Sequence, residues 1–240
     1  MSRKSRPIRS ELAWSTPDRI VVRGKDLPKE LLGHINLGDM AFLELTGRIP
    51  EPGESIVFNA MLVSLVEHGI TASALAARLT YAGAPESLQA AVAAGLCGLG
   101  SVFVGSMEGA AKMLIEALPK EQASPTTDAD LARIAIVVAV GFRERREIVP
   151  GIGHPFHKPV DPRAPRLFEL AEQNQLSGPY VKLVQKISAE SARLSGKMVP
   201  VNATGAIGAL CCEMELPHRI VRGLGVMARA VGLVGHILEE

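Results

Sequence analysis

The chain has 240 residues, 47% of them apolar and 21% charged, which is enough for a buried core and excludes intrinsic disorder. Its 26 Lys and Arg against 25 Asp and Glu leave a formal charge of +1, without the basic surplus of a nucleic-acid binder, and 4% aromatics give no stacking platform for single strands. Three cysteines, two of them the neighbours Cys211 and Cys212, fit neither a disulfide framework nor a metal-ligand spacing, which points to a reducing, cytoplasmic setting. At roughly 150 residues per domain the length allows one large domain or two small ones.

The first residues (Arg3, Lys4, Arg6, Arg9) are basic but lead into no apolar signal core, so residues 1–12 read as a flexible arm. Trp14 beside it is too little to make a binding feature. β-Branched alternation occurs only from Arg19 to Arg23, whereas helical periodicity recurs throughout. A helix is expected from Ile56 to Glu67, closed by Gly69, and another carries Leu88, Val92 and Leu96 after Ala84-Pro85-Glu86. Gly95 to Gly100 follows no strand and its glycines are out of register for a dinucleotide loop. The strongest apolar run, Ile134 to Val140, falls far short of the ~20 residues of a membrane span, so a soluble protein is expected. Tyr180, Val184, Ile187 and Leu194 line a helix after Gly178-Pro179. Cys211 and Cys212 read as core, and Glu213 and Glu215 as solvated. Ile220, Leu224, Val231 and Leu238 line a last helix starting at Pro217. The class is all-α.

Two segments break the pattern, Leu118 to Asp128 and Val149 to Pro165. The second holds five prolines, each removing a backbone donor and pushing its predecessor out of the α region, so the stretch cannot be helical. A proline-stiffened polar loop in a helical protein is the place to look for a site. In it His154 sits between Gly153 and Pro155, as an aimed imidazole or as a loop histidine bonded to nearby backbone. Arg163, in Asp161-Pro162-Arg163, is a bidentate carboxylate clamp or a solvated surface group.

The segment Pro150-Gly-Ile-Gly-His-Pro-Phe-His-Lys-Pro-Val-Asp-Pro-Arg-Ala-Pro165 resembles the Gly-x-Gly-His…Asp-Pro-Arg loop of the citrate synthase superfamily, in the form of the short citryl-CoA lyases and the lyase module of ATP-citrate lyase. The likeness continues in order through Val22-Arg-Gly-Lys-Asp-Leu27, Met40 to Pro50, Glu67-His-Gly69 and the Gly-rich turn Gly100 to Ala110. It implies a large helical domain (1–109 and 203–240), a smaller closing domain (110–202), and a homodimer or dimer of dimers to which the Gly95–Gly105 helix could contribute close packing.

The resemblance also implies roles. His68 would hold a carboxylate or hydroxyl of the acid, and a position at a helix C-terminus would favour its cationic form. His154 would bond the oxygen that alternates between ketone and tertiary alcohol, and could be the base on that alcohol. Gly151, Ile152, Gly153 and Lys197 would bind coenzyme A; Arg163, Arg229 and Asn202 would contact the polycarboxylate. Arg222, Arg229 and His236 recur every seven residues, as a polar lining or a solvated stripe. No metal is implied.

Three departures qualify the likeness. Phe103 replaces the synthase histidine that polarises the thioester, as in the lyases. Thr204 follows Asn202-Ala203 where the family has the aspartate of Asn-Val-Asp, and losing such a group costs ~10²–10⁴-fold in rate. The chain stops at Glu240, before the tail arginine of many members. The implied reaction is cleavage of citryl-CoA, or a related 3-hydroxyacyl-CoA, to acetyl-CoA and a 2-oxo acid such as oxaloacetate. The alternatives are synthase-type condensation on this or a related substrate, and a non-catalytic coenzyme A- or citrate-binding subunit.

Overall fold

Short-range signals at helix ends set much of the architecture. In the computed structural model, which describes residues 10–101, 104–123 and 126–240, helices dominate and the all-α class holds. Strands β1 (Ala13–Thr16), β2 (Arg19–Val22) and β3 (Lys25–Asp26) form one small antiparallel sheet in the order β1-β2-β3, larger than the brief alternation around Arg19 suggests. Asn36 caps α1 (Leu37–Thr46) by accepting the Asp39 amide at 2.8 Å, and Gly47 ends it in the left-handed conformation at φ 80°.

Helix α2 (Pro52–Val66) starts earlier than Ile56, because Pro52 is at home in a first turn and Glu54 accepts the Glu51 amide at 2.9 Å. Thr71 caps α3 (Ala72–Gly83), and α4 (Leu88–Cys97) follows as expected. Next come α5 (Gly105–Ala117) and α6 (Asp128–Arg145), the latter opened by a Thr127–Asp130 capping box. The proline-rich loop is non-helical to Pro162; α7 (Arg163–Gln173) then tolerates Pro165 in its first turn, where no intrahelical donor is required. α8 (Pro179–Ser195), α9 (Ala203–Glu213) and α10 (His218–Leu238) complete the chain.

α9 is the hub. Ala203 and every residue from Gly205 to Cys212 are buried, and it packs against α5, α7, α8 and α10. Small residues permit this: a Cβ on Gly208 would come within 3.0 Å of the Ala111 amide of α5. Met107, Leu114, Leu183, Ile187, Ile207, Leu210 and Leu224 fill the surrounding core, with Cys211 and Cys212 among them as expected. Truncating such a leucine to alanine costs about 2–5 kcal/mol.

On α10 the buried stripe runs through Val221, Leu224, Ala228, Gly232 and Leu233, while Val231 and Leu238 are 55% and 88% exposed. At about 100° per residue those two fall off the packed face. α10 is, among the described residues, the helix long and apolar enough to cross a bilayer by length and composition, but half of that window is buried against the fold, as in a core helix. Gly95 presses on Leu233 of α10 and Gly98 on Ser73 of α3, so these two glycines serve contacts within the chain.

Candidate active site

The N-terminus of α9 and the proline-rich loop are built as one piece. Gly151 has φ 80°, and a Cβ there would lie 2.4 Å from the Gly205 Cα, so the loop and helix backbones touch. The Gly153 amide donates to the Pro200 carbonyl at 2.7 Å, the Asn202 amide to the Gly151 carbonyl at 3.0 Å, and the Asn202 side-chain amide to the Gly153 carbonyl. Asp161 is fully buried. It accepts the Ala203 amide at 3.0 Å and pairs with Arg163 through both carboxylate oxygens, at 3.0 and 2.9 Å. Burial alone would raise the Asp161 carboxyl; Arg163 and the Ala203 amide instead hold it down at about 2. The carboxylate that Arg163 clamps in this structure is therefore its own neighbour, and Arg163 Nη1 turns toward the Ser64 carbonyl of α2, 3.4 Å away.

This scaffold gathers three histidines. His68, just beyond α2, places Nε2 2.9 Å from Nε2 of His157, and the ring of His154 is 4.6 Å from that of His157 and 6.2 Å from that of His68. His154 Nδ1 accepts the amides of Phe156 and His157 at 3.1 and 2.9 Å. A neutral imidazole that accepts at Nδ1 carries its proton on Nε2. His154 is thus a hydrogen-bond donor through Nε2 and has no free lone pair, which conflicts with the expected role as base on an alcohol. The same fact limits metal binding. The ring nitrogens lie within 4.8 Å of one another, a spacing a divalent ion accepts, but only His68 and His157 have a lone pair to offer.

Both His68 and His154 are shifted toward the neutral form. For His68 the cause is burial, then the charges of Arg163, His157 and Arg229, opposed by Asp161. For His154 burial comes first, opposed by Asp161, with His157, Arg163 and His68 adding to the depression. The helix terminus before His68 would favour an imidazolium, but these effects outweigh it.

Facing the histidines is α10. Arg229 is 9% exposed and His236 likewise, which resolves those two as a lining rather than a solvated stripe. Arg222, more open, pairs with Glu108 at 2.8 Å. Glu67 ties this wall to the turn after α2: its carboxylate lies 3.0 Å from His236 Nε2 and 3.7 Å from Arg229 Nη1, and accepts the amides of His68 and Gly69 at 3.3 and 3.2 Å. Arg229 Nη1 is fully buried and has no hydrogen-bond partner among the described residues. Burial weakens the guanidinium's hold on its proton, Glu67 opposes this and Arg163 adds to it. The 3.7 Å ion pair to Glu67 is too long for a hydrogen bond, so this buried donor is one that an incoming carboxylate would satisfy.

Thr204 sits in the first turn of α9. Its hydroxyl donates to Asn202 Oδ1 at 2.6 Å and accepts from Ser106 of α5 at 3.0 Å, so it orders the helix end and is not a base. Of the residues expected at coenzyme A, Gly151, Ile152 and Gly153 line the loop; the amides of Ile152 and Gly153 are already bonded, to the Val149 and Pro200 carbonyls. Lys197 is exposed at the turn after α8. Phe103 lies outside the described residues, as do residues 1–9 of the basic arm. His157, Asp161 and Glu67 are parts of the site that the motifs did not single out. A spacing of three from His154, a spacing of two from Arg163 and adjacency to His68 were the signals present.

The family model for the citrate synthase C-terminal domain matches residues 29–240. The chain belongs to the citrate synthase family. Among solved structures this family member is similar to citryl-CoA lyase from Hydrogenobacter thermophilus, with a TM-score of 0.86 and 30% identity over 98% of this chain and 87% of the other. It is also similar to ATP citrate lyase from Methanothrix soehngenii, solved with citrate and coenzyme A; the TM-score of 0.78 at 20% identity, over 99% of this chain and 39% of that one, shows a shared fold. Citrate synthase 2 of Bacillus subtilis (strain 168) is 28% identical over 197 residues, which is 82% of this chain and 50% of that protein. A probable ATP-citrate synthase of Dictyostelium discoideum is 23% identical over 99% of this chain and 39% of its own length. This citrate synthase family chain thus spans half or less of those two curated relatives.

Proposed function

We propose that this chain cleaves citryl-CoA, or a close 3-hydroxy-3-carboxyacyl-CoA relative, to acetyl-CoA and a 2-oxo acid such as oxaloacetate. The observation that carries this reading is the buried Arg229 guanidinium, whose Nη1 makes no hydrogen bond among the described residues, near Arg163, which in turn lies near the imidazole donor His154. That set suits a substrate bearing several carboxylates around one hydroxyl. In this reading Arg229 binds a carboxylate, Arg163 and Asn202 shape the pocket beside it, and His68 contacts the acid. His154 Nε2–H donates to the oxygen on the carbon being cleaved, which is an alcohol in the substrate and a ketone in the product. That donor stabilises the developing ketone without taking a proton. Gly151, Ile152, Gly153 and Lys197 would face coenzyme A. Residues 110–202 would close over residues 1–109 and 203–240 and exclude water, in a homodimer or a dimer of dimers.

The test is a coupled assay that follows oxaloacetate release from citryl-CoA by the purified chain. Sustained release supports the lyase reading. Thr204 favours a second reading, a subunit that binds coenzyme A or citrate without turnover. Binding of citryl-CoA by calorimetry with no release would favour that one. Introducing a carboxylate by Thr204→Asp is expected to raise cleavage if the site is a lyase, and no gain would count against it.

A further inference from the structure

The mechanism above leaves one proton without a carrier. Cleavage removes the hydroxyl proton and later adds a proton to the thioester carbon. His154 only donates, because backbone amides occupy its Nδ1. Thr204 has spent its own proton on Asn202 and is far too weak a base. Within the histidine cluster, lone pairs not taken by backbone amides are confined to His68 and His157, and of these two the ring that donates to the other keeps its Nδ1 lone pair free.

We propose that His68 and His157 act as one proton-transfer pair, sharing a proton between their Nε2 atoms and taking the place of the carboxylate that Thr204 lacks. The geometry supports it directly. The Nε2 atoms are 2.9 Å apart, a hydrogen bond in which one ring donates and the other accepts. The pair is fixed from both sides: His157 by its own amide bond to His154, His68 by its amide bond to Glu67 at 3.3 Å. Two imidazolium ions at that distance repel strongly, so the pair takes up one extra proton and not two.

The surroundings act in the same sense. Arg163 from α7 and Arg229 from α10 face His68, His154 and His157 come from the loop, and the acidic groups are Asp161, already bound to Arg163, and Glu67, beside His236. Burial, and after it the charges of Arg163, His157 and Arg229, shift His68 toward the neutral form that can exchange a proton with His157.

The step balances. The hydroxyl proton of the substrate passes to a ring nitrogen of the pair as the O–H bond breaks and the C–O bond becomes the ketone. The carbon–carbon bond breaks, and its electron pair forms the thioester enolate. The pair then returns one proton to that carbon, making the methyl group of acetyl-CoA. Over a turnover the pair gains and loses one proton.

This proposal rests on the lyase reading, and its test separates the two. His157→Gln, with His157→Asn as a second variant and thermal unfolding as a check on both, is assayed for citryl-CoA cleavage across pH. The expected result is a fall in kcat of about 100-fold or more with KM within a few-fold, and loss of the near-neutral limb of the kcat profile. A residue that only tied the loop to α2 would move stability or KM and leave that limb in place. In parallel, nitrogen NMR of the histidine rings of the unmodified chain should show His68 and His157 titrating as a coupled pair, and His68 alone moving in the variant. Unchanged kcat and pH profile in both variants, or two independent titrations, overturns the pair. If the unmodified chain cleaves nothing, the lyase reading falls, and the pair stands or falls on the NMR result.

Discussion

Asp161 and Glu213 lie at the two ends of α9 and do the same local job, yet they titrate in opposite directions. Asp161 accepts the first amide of α9 itself; Glu213 accepts the Val181 amide at 2.9 Å at the start of α8. Both are substantially buried. Asp161 has Arg163 in bidentate contact and is held at about 2, whereas burial pushes Glu213 up to about 7. For Glu213 the amides of Val181, Tyr180 and Gly178 and the more distant Lys182 work against burial and lose. Backbone amides alone do not offset desolvation; an ion-paired guanidinium does. The polar end of α9, where the site lies, is therefore charged and locked, and the far end is a helix cap that ionises reluctantly.

The largest test of this contrast removes the guanidinium. Arg163→Met leaves Asp161 buried with no cation, and unfolding in denaturant should show a loss of about 3–5 kcal/mol. Adding Asp161→Asn to that variant should recover part of it, since the uncompensated charge is then gone. Asp161→Asn alone should cost about 1–3 kcal/mol, the penalty for a weakened buried partner. Asp161 contributes stability that is present above its ordinary carboxylate range and lost as pH falls toward 2. The variant's acid unfolding curve should lack that component.

Glu213 has the opposite sign. The folded state holds its proton up to about 7, while the unfolded chain gives it up near 4.5, so the folded state binds more protons in between. Its contribution to stability therefore falls as pH rises through that window. Glu213→Gln should flatten the dependence of the melting temperature on pH between about 4.5 and 7, with the two proteins diverging most at the upper end. Lys182→Ala is the smallest expected effect, within about 0.5 kcal/mol, because Lys182 is exposed and only a minor influence on Glu213. A larger loss would mean that Glu213 has a cation partner after all.

The same comparison explains what could be read from the chain. Motifs that are contiguous, such as Gly151 to His154 and Asp161-Pro162-Arg163, were legible, and with them the family and the helical class. What escaped depends on pairs remote in sequence. His68 meets His157 across 89 residues and Glu67 meets His236 across 169, and no local pattern encodes either contact. Glu213 was expected to be solvated because no partner was evident in the sequence; its partners are backbone amides, which every residue carries. Glu215 is exposed as expected and meets Lys120 at 2.7 Å. Gly151 and Gly153 were expected to bind coenzyme A. Gly151 instead permits contact with Gly205, a requirement visible only once α9 is in place. The stripe on α10 was mis-set for a related reason: apolar spacing of seven marked Val231 and Leu238, while the buried face includes Arg229 and His236, polar residues that line the site.

The most direct measurement is citryl-CoA cleavage by the unmodified chain beside Arg229→Gln, with oxaloacetate release as the readout. The account predicts sustained turnover by the unmodified chain. In the variant kcat/KM should fall by at least about 10-fold to 100-fold, since a charge-assisted hydrogen bond of roughly 1.5–3 kcal/mol is lost. Equal rates in the two proteins, or no release by the unmodified chain, would contradict it.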